Sequence, residues 1–91
     1  MVYKRKDSSI IEFRTVIECP DDPTIFNHFK NKQHRIITIA MHTETEEDMV
    51  VYQAMYDDYK YYARPADMFF SEVDHDKYPN VNQQYRFEPT N

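Results

Sequence analysis

A chain of 91 residues has room for one domain. A makeup of 41% hydrophobic and 30% charged residues is globular rather than disordered, and no apolar run nears the roughly 20 residues that span a bilayer. The net charge of −5 argues against a nucleic-acid-binding surface over most of the chain, and the single Cys19 excludes an internal disulfide and a cysteine-rich zinc site.

The charge is unevenly spread. Residues 1–35 carry seven Lys/Arg against five Asp/Glu, whereas residues 36–91 carry four against eleven. The basic residues Lys4–Lys6, Lys30, Lys32 and Arg35 therefore stand apart from an acidic second half. The basic N-terminus is followed by no hydrophobic signal core, because Glu12 and Arg14 interrupt it. The expectation is a cytoplasmic protein without a membrane partner. A chain this small gains stability by associating, so a homodimer is compatible with the size.

In chain order, Met1–Ser9 is polar and reads as a flexible arm. Ile10–Cys19 alternates, with Ile11, Phe13, Thr15 and Ile17 on one side, and predicts a strand. Pro20–Pro23 ends it. Ile25–Phe29 reads as a strand leading into a turn at Lys30–Gln33. Ile36–His42 is apolar and β-branched. Thr43–Asp48 is polar and acidic, as a hairpin loop should be, although Thr43 and Glu46 also have capping-box spacing. Met49–Tyr56 alternates over a full strand length, with Val50, Tyr52, Ala54 and Tyr56 on one face. Asp57–Lys60 is a turn, and Tyr61–Arg64 a strand closed by Pro65, which has no N–H for a ladder. Ala66–Phe70 predicts one helical or 3-10 turn, with Met68 and Phe69 available to plug a core made with Val50 or Val51, Ile37 and Ile39. Ser71–Val73 extends the sheet, Asp74–Asn82 is a loop, and Val81–Phe87 is a closing strand. Residues 10–87 thus form a single mainly β domain, a small barrel or roll of five to seven short strands, with 88–91 as a tail.

The segments FNHFKN at 26–31, IAMHTET at 39–45, MVVYQAMY at 49–56 and ARPADMF at 63–69 carry a resemblance. They are similar to the small bacterial family called domain of unknown function 1653. Its pattern runs Tyr-x-His-(Phe/Tyr)-Lys-Gly, Ala-x-His-x-Glu-Thr, Val-Val-Tyr-x-x-Leu-Tyr and Trp-x-Arg-Pro-x-x-Met-Phe. The matching positions include His28, Phe29, Lys30, His42, Glu44, Tyr52, Tyr56, Arg64, Pro65 and Phe69, and Tyr85-Arg86-Phe87 looks like the family's closing strand. The match covers about residues 25–87. It implies an SH3-like β-roll and no particular reaction. Tyr62 stands where the family has Trp. Asn31, Thr38, Glu46, Asp57 and Lys60 stand where it usually has glycine, and this chain has none. Tight turns must then use other residues, which predicts φ > 0 at one or more of Asn31, Asp57, Asp58 and Lys60.

Three groups of residues are candidates for function. His42 and Glu44, two apart on an extended strand end, point the same way and could form a base or part of a metal site; the plainer reading is a pair that pins the hairpin loop. Arg64 could clamp a carboxylate or phosphate, or form an internal ion pair with Glu44 or Asp67. Tyr59, Tyr61 and Tyr62 could make a peptide groove or an aromatic cage, while Tyr52 and Tyr56 read as core. No nucleophile–base–orienter set is visible, and no cofactor or metal is implied. The reading is a non-catalytic binding module for a protein or small-molecule ligand, with a small enzyme built on His42, Glu44 and Arg64 as the alternative. Nucleic acid is disfavoured by charge.

Overall fold

The period-two pattern expected over Met49–Tyr56 does build an interior strand, which ends at Ala54. In the computed structural model, which describes residues 1–90, seven strands and one helical turn follow in order: β1 (Val2–Lys4), β2 (Ile10–Glu12), β3 (Ile25–His28), β4 (Lys32–Met41), β5 (Asp48–Ala54), β6 (Tyr61–Pro65), α1 (Ala66–Phe69) and β7 (Phe87–Pro89). Five strands form one antiparallel sheet in the order β6-β5-β4-β3-β7, and β1 pairs with β2 in a second. The large sheet is open. Its edges, β6 and β7, do not pair, so the molecule is a small β-roll rather than a closed barrel.

Val50, Tyr52 and Ala54 share the buried face of β5. Opposite them, the β4 register shifts between Ile36 and Thr38. Ile37 is the extra residue of a bulge, which reverses the facing of everything after it. Ile36 is therefore fully buried, Ile39 packs against the same core, and Ile37 drops out of the place expected for it. Thr38 adjoins this bulge.

Pro65 ends β6 and starts α1, which is a single turn. Ala66, Phe69 and Phe70, spaced i, i+3 and i+4, fall on one face and are buried. Met68 points the other way and is 50% exposed, so the plug is Phe69 with Phe70, not Phe69 with Met68. Phe69 stacks on Phe87 (4.0 Å, 8°) and meets Phe26 and Tyr52 edge-on. These aromatic contacts form the centre of the core.

The N-terminal third differs most from expectation. The first residues are structured, because β1 pairs with β2 and Tyr3 stacks on Phe70 (4.3 Å) while donating to Asp67 (2.7 Å). The strand expected over Ile10–Cys19 stops at Glu12. Thr15 and Glu18 form a reciprocal capping box, in which Glu18 N–H donates to Thr15 Oγ1 (3.2 Å) and Thr15 N–H to Glu18 Oε2 (3.4 Å). The chain turns there, with Cys19 N–H on Thr15 C=O, and Ile17 is left 67% exposed. Thr43 and Glu46 have the same spacing but sit in a non-helical loop. At the other end, β7 begins six residues later than the strand expected over Val81–Phe87, shares only Phe87 with it, and includes part of the expected tail. It pairs with β3 through His28–Phe87 and Phe26–Pro89, and Pro89 is tolerated because β7 is an edge.

With no glycine, five residues take positive φ: Ser8 (72°), Asn31 (63°), Glu46 (61°), Asp57 (51°) and Tyr59 (53°). Asn31 and Asp57 hold the turns predicted for them. At the turn before β6 the residue used is Tyr59, not Lys60.

Phe69 is fully buried between Phe26, Tyr52 and Phe87. Phe69→Ala should cost about 3–5 kcal/mol, and thermal unfolding should show a melting temperature lower by roughly 10 °C or more. A shift of only a degree or two would mean that the stack is not central to stability.

Candidate functional site

The β3–β4 hairpin supplies one wall of an open cleft. Its three-residue connection, Phe29–Asn31, turns with Asn31 N–H on His28 C=O (2.8 Å) and Asn31 in the left-handed region. His28 pairs with Lys32 and Phe26 with His34, so His28 and His34 face the same way across the hairpin. On the opposite side Tyr52 pairs with Tyr62 and Val50 with Arg64, which puts Tyr62 and Arg64 on that same face. Phe87 of β7 lies opposite His28. The cleft, about 360 Å³, is lined by His28, Lys30, Lys32, His34, Tyr52, Tyr56, Tyr62, Arg64 and Phe87.

Phe87 is the floor. The rings of His28 (4.8 Å), His34 (5.3 Å) and Tyr52 (5.6 Å) meet it edge-on, and the Arg64 guanidinium carbon lies 6.0 Å from its centroid. Tyr62 stacks on Tyr52 (5.6 Å, 28°) and keeps much of its ring in solvent. Lys32 Nζ sits 4.8 Å from the centre of the Tyr56 ring.

The hydrogen bonds fix several protons. His28 Nδ1 accepts the Lys30 backbone N–H (3.1 Å), so the neutral ring carries its proton on Nε2, free to donate. His34 Nε2 is bonded to the Tyr56 hydroxyl (3.2 Å), and its buried Nδ1 has no hydrogen-bond partner. Burial, then the positive potential of the neighbouring His34, Arg64, Lys30 and Arg86, lowers His28 to about 4. His34 is also lowered, mainly by burial and further by Arg64. The Lys32 backbone opposes this shift without reaching hydrogen-bond geometry to Nδ1. Burial raises Tyr52 and Tyr56, so both hydroxyls stay protonated at neutral pH.

Among the described residues Arg64, Lys30 and Lys32 have no carboxylate partner. The four ion pairs among the described residues use Met1, Lys6, Arg14 and Lys60 as cations, none of which lines the cleft. No Asp or Glu lines it either. No group of three or more His, Cys, Asp or Glu suited to a metal occurs among the described residues. The cleft therefore offers cations, N–H and O–H donors, and aromatic faces.

Of the residues singled out in sequence, Tyr62 and Arg64 come together in this cleft. His42, Glu44, Tyr59 and Tyr61 lie outside it. His42 Nδ1 accepts the backbone N–H groups of Glu44 (3.0 Å) and Thr45 (3.2 Å), so the histidine itself pins the β4–β5 loop. Glu44 is exposed and reaches neither Arg64 nor the loop amides, contrary to the pairing expected of it. Asp67 does not hold Arg64 either; it accepts from Tyr3 and pairs with Lys6. Tyr59 is bound through its carbonyl, which accepts from Gln53 Nε2 (3.0 Å), and Tyr61 points to the other face of β6. Tyr52 is core, as expected, yet also lines the cleft, and Tyr56 is half-buried on His34. His28, His34, Lys30 and Lys32 were missed. Their signal is the run His28-x-Lys30-x-Lys32-x-His34, in which every second residue of a hairpin is cationic or imidazole.

The family model for "Protein of unknown function (DUF1653)" matches residues 24–89. The chain belongs to this family. No curated protein and no solved structure matches the chain. The DUF1653 match contains the whole five-stranded sheet and every residue of the cleft, and leaves β1 and β2 outside. His28, Lys30, Tyr52, Tyr56 and Arg64 are at once positions that fit the DUF1653 pattern and parts of the cleft lining.

Two outcomes follow from these contacts. His42→Ala should cost about 1 kcal/mol by freeing two loop amides, while Glu44→Gln should stay within about 0.5 kcal/mol of the parent; chemical denaturation measures both, and the reverse order would contradict the loop geometry. The depressed His28 sets a pH dependence. The unfolded chain takes up a proton below its ordinary value near 6.5, whereas the folded ring resists until about 4. Stability should therefore fall as pH drops from about 6.5 towards 4, and His28→Gln should flatten that part of the profile.

Proposed function

We propose that this DUF1653 domain is a non-catalytic binding module, SH3-like in architecture, whose cleft captures a small anionic ligand. One observation carries the reading: in a chain of net charge −5, Arg64, Lys30 and Lys32 border one cleft with no carboxylate among its lining residues. Like charges gathered without counter-charges destabilise a fold, and such clusters are typical of sites kept for a ligand. The donors support it. His28 Nε2–H and the tyrosine hydroxyls add directional hydrogen bonds beside the cations, in a site partly screened from water by Phe87 and Tyr52. The cleft also falls within the size range of small-molecule sites. The catalytic alternative loses its support with the separation of His42 and Glu44 from Arg64, and no serine, cysteine or carboxylate lines the cleft to act as nucleophile or carboxylate base.

Inorganic phosphate at ten times its dissociation constant should stabilise the folded chain by about 1.4 kcal/mol, read as a rise in melting temperature against a chloride control of equal ionic strength. Arg64→Gln should abolish that rise while leaving the unliganded protein as stable or more stable. A variant that is less stable and still responds to phosphate would sink the proposal, because Arg64 would then be structural.

A further inference from the structure

Resting on the anion-binding reading, we infer that the ligand of this cleft is a phosphate monoester carried beside a flat ring, with a nucleoside monophosphate as the class that fits. Three features narrow the choice. The first is charge. Arg64, Lys30 and Lys32 border one cleft and none is in an ion pair among the described residues, which suits a dianion better than a single carboxylate. Donors approach from several directions, the guanidinium from β6 and the His28 Nε2–H from β3, which matches a tetrahedral group rather than one planar fork.

The second feature is the aromatic platform. Tyr62 lies on Tyr52 at 5.6 Å and 28°, and the residue is 44% exposed. One face is thus backed by protein and the other is open to a planar group. Tyr62 and Arg64 are two residues apart on the same face of β6, so a ring on the tyrosine is a natural neighbour of a phosphate on the arginine. Stacking of a nucleobase on an aromatic side chain is a sequence-tolerant interaction of useful size.

The third feature limits the ligand's length. Beyond Tyr56 and Tyr62 the neighbouring hollow is lined by Asp57, Asp58 and Lys60, with Lys60 4.0 Å from Asp58. A polynucleotide leaving the cleft on that side would run its backbone past a hollow of net negative charge, with Asp57 in no ion pair among the described residues. A single nucleotide ends before that hollow, and the cleft's size of about 360 Å³ suits it.

The test compares inorganic phosphate, adenosine, adenosine monophosphate and a short oligothymidylate on the intact chain, by NMR titration of the protein amides and of the adenine ring protons. Adenosine monophosphate should bind at least about tenfold more tightly than either phosphate or adenosine. Its ring protons should move upfield as they stack, and Tyr62→Leu should remove the advantage over phosphate without weakening phosphate itself. Equal affinity for adenosine monophosphate and phosphate would overturn this inference and leave the anion site standing. Failure of every anion to bind would remove both. An oligothymidylate binding about tenfold more tightly than adenosine monophosphate would replace the mononucleotide with a strand. If Tyr62→Leu does not fold, the ratio of the two affinities in the parent protein decides alone.

Discussion

One aromatic stack holds the core and the cleft in register. Phe69 enters from the turn after β6, and Phe87 arrives from the last strand, with ring planes 8° apart at 4.0 Å. Phe87 also forms the floor on which His28, His34 and Tyr52 rest edge-on. The same ring therefore belongs to the interior and to the site. This explains why β7, a strand of only three residues, is worth placing at the sheet edge. It also explains the depressed histidines. A ring that closes the core beneath them removes water from one side, and the imidazolium form has no carboxylate in the lining to compensate.

A second constraint is the absence of glycine. Five non-glycine residues occupy the left-handed region, each at a cost on the order of 1 kcal/mol, with Asn31 and Asp57 the better tolerated. The choice bears on the site. Asn31 closes the hairpin that brings His28 and Lys32 face to face, and Asp57 and Tyr59 shape the turn that feeds Tyr62 and Arg64 back along β5. Three of the five, Asn31, Asp57 and Tyr59, thus sit in two turns that position the cleft, while Ser8 and Glu46 lie away from it.

Much of this fold was legible in the sequence where a single periodicity ruled. Met49–Ala54, Tyr61–Pro65 and the turn at Ala66 follow from alternation and from proline. What escaped has identifiable causes. The bulge at Ile37 changes facing without changing composition, so Ile36 and Ile37 cannot be told apart by pattern. The turn at Thr15–Glu18 competes with an alternating run, and a reciprocal pair of hydrogen bonds decides for the turn. The first strand has no apolar alternation of its own and is ordered by long-range contacts of Tyr3 with Phe70 and Asp67. The site was half visible. Arg64 and Tyr62 stood out because they are adjacent in an unusual segment. The histidines read as scattered because their proximity is created by the register of β3 on β4 and by β7 arriving beside His28.

The electrostatic arrangement ties these points together. Most of the acidic residues lie in the second half of the chain, yet the cleft draws its lysines and histidines from the first half and Arg64 from the second. The fold thus brings Arg64, from the acidic part of the chain, beside Lys30 and Lys32 from the basic part. An anion approaching the molecule meets a negative overall field, and only a local positive potential at the cleft can draw it in. On the proposed reading, such a site favours a small ligand with concentrated charge over an extended polyanion, which would contact the acidic remainder. The neutral histidines sharpen this selectivity. As an imidazole His28 can donate from Nε2 without adding fixed charge, and a neutral His34 adds none either. On the proposed reading, affinity, selectivity and stability rest on the same balance: Arg64 beside Phe87 and Lys32 over Tyr56, with Lys30 at the border and no carboxylate among the lining residues.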